Sequence, residues 1–188
     1  MKRLFMRGPL IIALASLSLT GCMSSRITLP EEPEEERVQS EEPPARITTI
    51  PVIEYEDPGI KYEFENMLLH HFIVMQDNTA SGRFAAKLLD ESSTAQLKVK
   101  FPAGTYECLV SEKAHDTDHS AFYVYVDGIP YRVYPSNPPL GSWELTTRAP
   151  VYFTIDEPRT ILVTVQANSE KRLGNTQMML DFIQFVRR

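Results

Sequence analysis

The 188-residue sequence predicts an all-β fold, an antiparallel sandwich or barrel, on three observations. From about residue 50 onward, short runs alternate apolar and polar residues, clusters of Gly, Pro, Asp and Ser separate them, and no long stretch keeps a helical period. "AQLKVKF" (95–101) alternates and "PAGTY" turns, then "YECLVSE" (106–112) runs on until "HDTDHS" breaks it. "AFYVYV" (121–126) alternates, "DGIP" turns, and "YRVYP" ends at a proline-rich loop. "VYFTI" (151–155), the break "DEPR", "TILVTVQA" (160–167), the loop "NSEKRLGNT" and a last apolar strand complete the series. Seven or more such strands suit two packed sheets or a closed barrel. "SGRFAAKLLDES" (81–92) is the one stretch expected to hold a helical turn or two. No repeat or second domain interrupts residues 50–188, which are long enough for one hydrophobic core.

The first 21 residues read differently. Lys2, Arg3 and Arg7 precede "PLIIALASLSL", an apolar run too short to span a bilayer comfortably, and "LTGC" closes it at Cys22. This ending resembles the processing box of bacterial lipoproteins, and the resemblance implies cleavage before Cys22 and acylation of its thiol and freed amine. An ordinary secretory signal with a chance Cys is the alternative. Several acyl chains, at about 0.8 kcal/mol per buried methylene, would make the bilayer a near-permanent partner. Met23 stands where related lipoproteins of the inner membrane carry Asp, which favours an outer-membrane anchor facing the periplasm or cell surface.

Residues 22–49 are rich in Glu and Pro and poor in large apolar side chains. They are expected to form a disordered, extended tether of roughly 3 Å per residue. Loss of the three leader cations moves the formal charge from −6 to −9, so no basic patch is expected to meet nucleic acid. With Cys22 acylated, Cys108 has no partner, and its place in "GTYECLV" suits a buried thiol acting as a small hydrophobe.

The last strand, "QMMLDFIQFVRR" (177–188), carries a carboxylate among apolar residues. Strict alternation would put Met179, Asp181, Ile183 and Phe185 on one face. A buried Asp181 then needs hydrogen bonds, a cation or a metal, because an unpaired buried charge costs several kcal/mol. Glu63 and Glu65 in "YEFEN", two residues apart, would share a face of a strand. "HDTDH" (115–119) is a polar hairpin loop by the same reading, and the adjacent His70 and His71 would point to opposite faces. No nucleophile elbow or Gly-rich phosphate loop is present in the sequence.

In order, "YEFENM", "SGRFAAKLLDESSTAQLKVKFPAGTYECLVSE", "AFYVYVDG", "GSWELTT", "TILVTVQA" and "MLDFIQF" resemble the carbohydrate-binding modules of families 6 and 35. The resemblance implies a galactose-binding-like β-sandwich of jelly-roll type. It also implies a structural Ca²⁺ held by Glu63, Glu65 and Asp181, all hard oxygen ligands. For a sugar ligand it points to Trp143 as a stacking platform, with Tyr131 and Tyr134 near it in sequence. Such modules often place Asn two residues before the last-strand Asp; here Met179 stands there, and Asn175 would have to substitute from the loop.

The expected function is therefore a non-catalytic, membrane-anchored module that binds a glycan or another envelope component. The alternative is a structural lipoprotein that docks an envelope protein without binding sugar. A hydrolase is the third reading, kept because carboxylate separations are spatial and not visible in sequence.

Overall fold

The computed structural model describes residues 41–114, 121–133, 141–146, 150–167 and 178–188. The leader, Cys22, the "HDTDH" loop, Tyr134 and Asn175 lie outside the described residues. In chain order the strands are β1 (Val52–Glu54), β2 (Gly59–Glu63), β3 (Leu68–His70), β4 (Phe72–Gln76), β5 (Phe84–Leu88), β6 (Thr94–Phe101) and β7 (Gly104–Lys113). They continue as β8 (Phe122–Val126), β9 (Ile129–Val133), β10 (Glu144–Leu145), β11 (Val151–Ile155), β12 (Arg159–Ala167) and β13 (Met179–Arg187). A single 3₁₀ turn, Phe64–Asn66, follows β2.

Two sheets face each other. In the six-stranded sheet β1 and β3 both lie on β6, followed by β12, β8 and β9. In the seven-stranded sheet β10 and β11 share one side of β7 and β13, on its other side, is central; β2 and β5 share the far side of β13, and β4 is outermost. Every pairing is antiparallel except β1 on β6.

The alternation read from the sequence explains the core. Leu97, Val99 and Phe101 of β6 and Ile161, Val163 and Val165 of β12 meet Tyr106, Cys108 and Val110 of β7 and Ile183 and Phe185 of β13. Phe101 is the aromatic centre: its ring lies 4.7 Å from Tyr106, 5.3 Å from both Phe153 and Phe185, and 5.7 Å from Tyr55. The two phenols in this group are satisfied, since Tyr106 donates to the Pro102 carbonyl at 2.8 Å and the Tyr55 oxygen accepts from the Arg187 amide at 3.0 Å. Cys108 is free and buried, and burial pushes its thiol pKa far up, as suits a small core hydrophobe. The "DG" turn is also as read: Asp127 and Gly128 have φ of 52° and 82°, the positive pair a two-residue hairpin needs between Val126 and Ile129.

Two local expectations are corrected. "SGRFAAKLLDES" holds strand β5 and no helix. Its Ala86 and Leu88 enter the main core while Ala85 packs with Ala80 and Met179 on the other side. Both faces are covered, so pairing with β4 and β13 overrides the helical preference of Ala, Lys and Leu. His71 has φ 55°, which turns the chain after β3, and the His70 and His71 rings stack at 4.1 Å instead of pointing apart. Residues 41–49 form no strand, yet Glu41 pairs with Arg83 at 2.6 Å. Pro43, Pro44, Arg46 and Ile47 border a cavity of about 180 Å³ with Leu69, Phe72 and Val74.

Because Phe101 touches both sheets' aromatic rings, Phe101→Ala should lower unfolding stability by about 3–5 kcal/mol, read as a drop in the urea midpoint. A loss below about 1 kcal/mol would mean that the ring cluster is not the packing centre.

Candidate functional site

The last strand does not alternate strictly. Leu180 lies opposite Glu112 of β7, but Ile183 lies opposite Val110, so Asp181 and Phe182 together face the single residue Ser111. This β-bulge shifts the phase of the strand. Leu180, Ile183 and Phe185 therefore all reach the core, while Met179 joins the small cluster of Ala80 and Ala85 outside it. Asp181 does not share a face with Ile183 and Phe185. The bulge is also where β13 changes neighbours, from β5 at Met179 and Leu180 to β2 from Phe182 onward.

Asp181 is nonetheless only 3% exposed, because the turn after β4 covers it. The Ser81 amide donates to Asp181 Oδ1 at 3.0 Å, and the Ser111 hydroxyl donates to Oδ2 at 3.2 Å. The Ser81 hydroxyl lies 2.9 Å from Asp181 Oδ1 and 2.8 and 3.0 Å from the two oxygens of Glu63. A hydroxyl has one proton to donate, so it can satisfy one of these carboxylates at a time.

Glu65 completes the group by a different route from the one expected. Glu63 ends β2, and Glu65 sits in the 3₁₀ turn, so the two do not share a strand face. They converge on Gly82 all the same: a Cβ there would stand 2.7 Å from Glu65 Oε1 and 3.5 Å from the Glu63 carboxyl carbon. Glu65 is 6% exposed, and its Oε2 is buried without a hydrogen bond. Burial, with the charges of Glu63 and Asp181 added, pushes its carboxyl up to about 7. Lys61, 3.3 Å from Glu63, is the one ammonium in contact with the group among the described residues.

Three crowded carboxylates and one orphaned buried oxygen fit the chemistry of a hard divalent cation, with which the Lys61 ammonium would compete for Glu63. Among the described residues no set of three acidic, histidine or cysteine side chains already stands as a coordinating shell. The Ser81 hydroxyl lies between Glu63 and Asp181 instead.

The same turn holds Trp143. The partly buried indole packs on the cluster of Ala80, Ala85 and Met179, and its N–H donates to the Thr79 hydroxyl at 3.0 Å. That hydroxyl donates to Asp77 at 2.5 Å, Asp77 accepts from Lys113 at 2.8 Å, and the Lys113 ammonium lies 5.4 Å from the indole ring. Burial raises the Asp77 carboxyl, but the hydrogen bonds from Lys113 and Thr79 outweigh it and hold the group below its ordinary range. Met179 is thus the floor beneath the indole. Tyr131 lies elsewhere, on β9 of the other sheet, and packs against the main core.

A histidine cluster at the opposite end of the β4–β5 pair is not a relay. Asp90 Oδ2 and Ser92 Oγ both approach the same His71 nitrogen, Nδ1, at 2.8 and 2.6 Å, whereas a Ser-His-Asp triad needs them on opposite nitrogens. Hydrogen bonds from Ser92 and His71 hold the Asp90 carboxyl down at about 2.

Ser81, Gly82, Ser111, Thr79 and Lys113 were not singled out from sequence. The available signal was "DNTASGR" (77–83), whose Asp-x-Thr start is turn chemistry. What that turn covers is set 100 residues later, by Asp181.

Solved structures share this arrangement of sheets. A family 35 carbohydrate-binding module from Clostridium thermocellum superposes with a TM-score of 0.57 at 12% identity, over 69% of this chain and 98% of that one. The chain folds as a family 35 carbohydrate-binding module does. A second module of this type, from Cellvibrio japonicus, gives 0.53 at 10% identity over 68% of this chain and 92% of its own. The exo-β-1,3-galactanase from Phanerochaete chrysosporium, solved with galactose, gives 0.55 at 19% identity over 68% of this chain; the match spans 29% of the enzyme. No protein-family model and no curated protein matches the sequence. Within this family 35 type of sandwich, Trp143 and the carboxylate group lie on either side of one turn, residues 77–83.

The raised Glu65 carboxyl predicts a pH dependence in chelator. The group titrates near 7 folded against an ordinary 4.5, so between those values the folded chain holds a proton that the unfolded chain releases. Stability should therefore fall as pH rises through that window, and Glu65→Gln should flatten the slope. Thermal melts across the window check this, and an equal slope in the variant would assign the dependence to another group.

Proposed function

We propose that this chain is a non-catalytic glycan-binding module carried on a bacterial membrane lipoprotein. The observation that carries the sugar reading is the partly buried Trp143, packed on the cluster of Met179, Ala80 and Ala85 and fixed in orientation by Thr79. An indole held this way offers an apolar face to a sugar ring, and Lys113 and Asp77 beside it are polar groups able to meet hydroxyls. The likeness to family 35 modules supports the reading at the level of fold, which hosts binding more often than catalysis. The leader and "LTGC" support acylation at Cys22, and Met23 supports an outer-membrane site facing the periplasm or surface.

We further assign Ca²⁺ to Glu63, Glu65 and Asp181, with the Ser81 hydroxyl as an added oxygen donor. When bound, the ion supplies positive charge to three crowded carboxylates. The protein's own part is geometric: the bulge places Asp181, the 3₁₀ turn places Glu65, and the absent side chain of Gly82 leaves Glu65 Oε1 its space.

Two outcomes test these assignments. On a glycan array, the domain from residue 41 should bind at least one polysaccharide, and Trp143→Ala should weaken that binding about tenfold, the worth of one stacking contact. A folded domain that binds no glycan would sink the sugar reading. For the ion, excess chelator should lower the melting temperature by several degrees, since a ligand of the native state alone at about 100 times its Kd contributes about 2.7 kcal/mol. An unchanged melting temperature would leave the carboxylates held by protein groups alone.

A further inference from the structure

The residues that precede β1 lie against the sandwich as an extended strap. From 41 to 50 only Pro44, Ile47 and Ile50 are half-buried, and the residues between them are exposed. A spacing of three is the repeat of a polyproline II chain, in which every third side chain returns to one face. Among the described residues no backbone hydrogen bond ties 41–50 to a strand; the first such bond runs from the Lys98 amide to the Pro51 carbonyl. The strap is held by those three side chains and by the ion pair of Glu41 with Arg83, a half-exposed contact of the weak, salt-screened kind. Spaces of about 180 Å³ and 570 Å³ border it.

The strap meets the carboxylate group at two points. Pro43, Pro44, Arg46 and Ile47 form one wall of the 180 Å³ cavity, and Glu65, whose buried Oε2 has no hydrogen bond, lines another. Arg83, which holds Glu41, directly follows Ser81 and Gly82, the residues that meet Asp181, Glu63 and Glu65. We infer that residues 41–50 are a latch set by the cation, docked while the ion is bound and released when it leaves. The inference rests on the assignment of Ca²⁺ to Glu63, Glu65 and Asp181. With the ion in place the charge of Glu65 is compensated, and a dry cavity beside it costs little. Without the ion a charged Glu65 is left to water, because the Lys61 ammonium contacts Glu63 instead. The other walls of the cavity belong to the paired strands β3 and β4 and to the 3₁₀ turn, so the strap is the wall that can lift. Release adds residues 41–49 to the length of free chain before them, roughly 27 Å of reach at about 3 Å per residue. Ion occupancy then sets how far the module can stand from its anchor.

A nitroxide on Ala45→Cys, an exposed strap position, reads the latch in the full-length chain held in detergent micelles. Cys108 is buried, and the chain without Ala45→Cys supplies the background spectrum. With Ca²⁺ the slow component should dominate, and excess chelator at pH 8 should raise the ratio of mobile to slow component about tenfold. Arg83→Gln should raise that ratio about threefold with Ca²⁺ present, since the Glu41 contact is lost. The same label on Tyr152→Cys, at an exposed position of β11, should not respond, which separates release of the strap from general loosening. A melting temperature that falls in chelator without any change at Ala45 would overturn the latch and leave the ion assignment standing. Equal responses at the two labelled positions would also overturn it, and no change in either melting temperature or mobility would overturn both.

Discussion

Ser81 reaches Asp181 across 100 residues of sequence, and much else about this end of the domain rests on that contact. The turn that carries Ser81 is held down by a backbone amide, a hydroxyl and the carboxylate beneath them. With the turn fixed, Thr79 is in place to accept from the indole of Trp143, and Gly82 is in place against Glu65. The indole and the carboxylate group are therefore two sides of one clamp. Its geometry depends on the extra residue in β13, because without the bulge Asp181 would point into the core with Ile183 and Phe185.

The arrangement concentrates negative charge where a sheet face would ordinarily be apolar or well hydrated. Glu65 is the most constrained member. One of its oxygens abuts the Gly82 backbone, the other has no hydrogen bond, and two more carboxylates lie near it. A carboxylate in such a place is either protonated or compensated by positive charge. This is a local conflict of the kind that natural sequences tolerate at sites of function.

The strands of the sandwich were largely readable because their burial alternates with period two. β6, β8, β11 and β12 stand within a residue or two of the runs read from sequence, and so does β7, which read as a continuous run because it is buried on both faces. β5 was not readable, since alanines buried on both faces leave no alternation to see. The three-residue strands β1 and β3 carry too few residues for a period to register. Of the candidate site, the convergence of Glu63, Glu65 and Asp181 was implied by family resemblance, but the route was not: a 3₁₀ turn and a bulge each break the strand periodicity on which the reading relied. Met179 read as a missing polar group, yet it supports the indole from below. Only the packing across elements could reveal that.

The position of β13 carries a consequence for how the chain is made. It follows every other described strand in sequence, yet it is the central member of its sheet, paired with β7 on one side and with β2 and β5 on the other. Until it emerges, β2 and β5 have no seam to join, and the carboxylates and the turn have no Asp181 to close on. Synthesis therefore delivers a long polypeptide that stays unlocked until its final strand arrives.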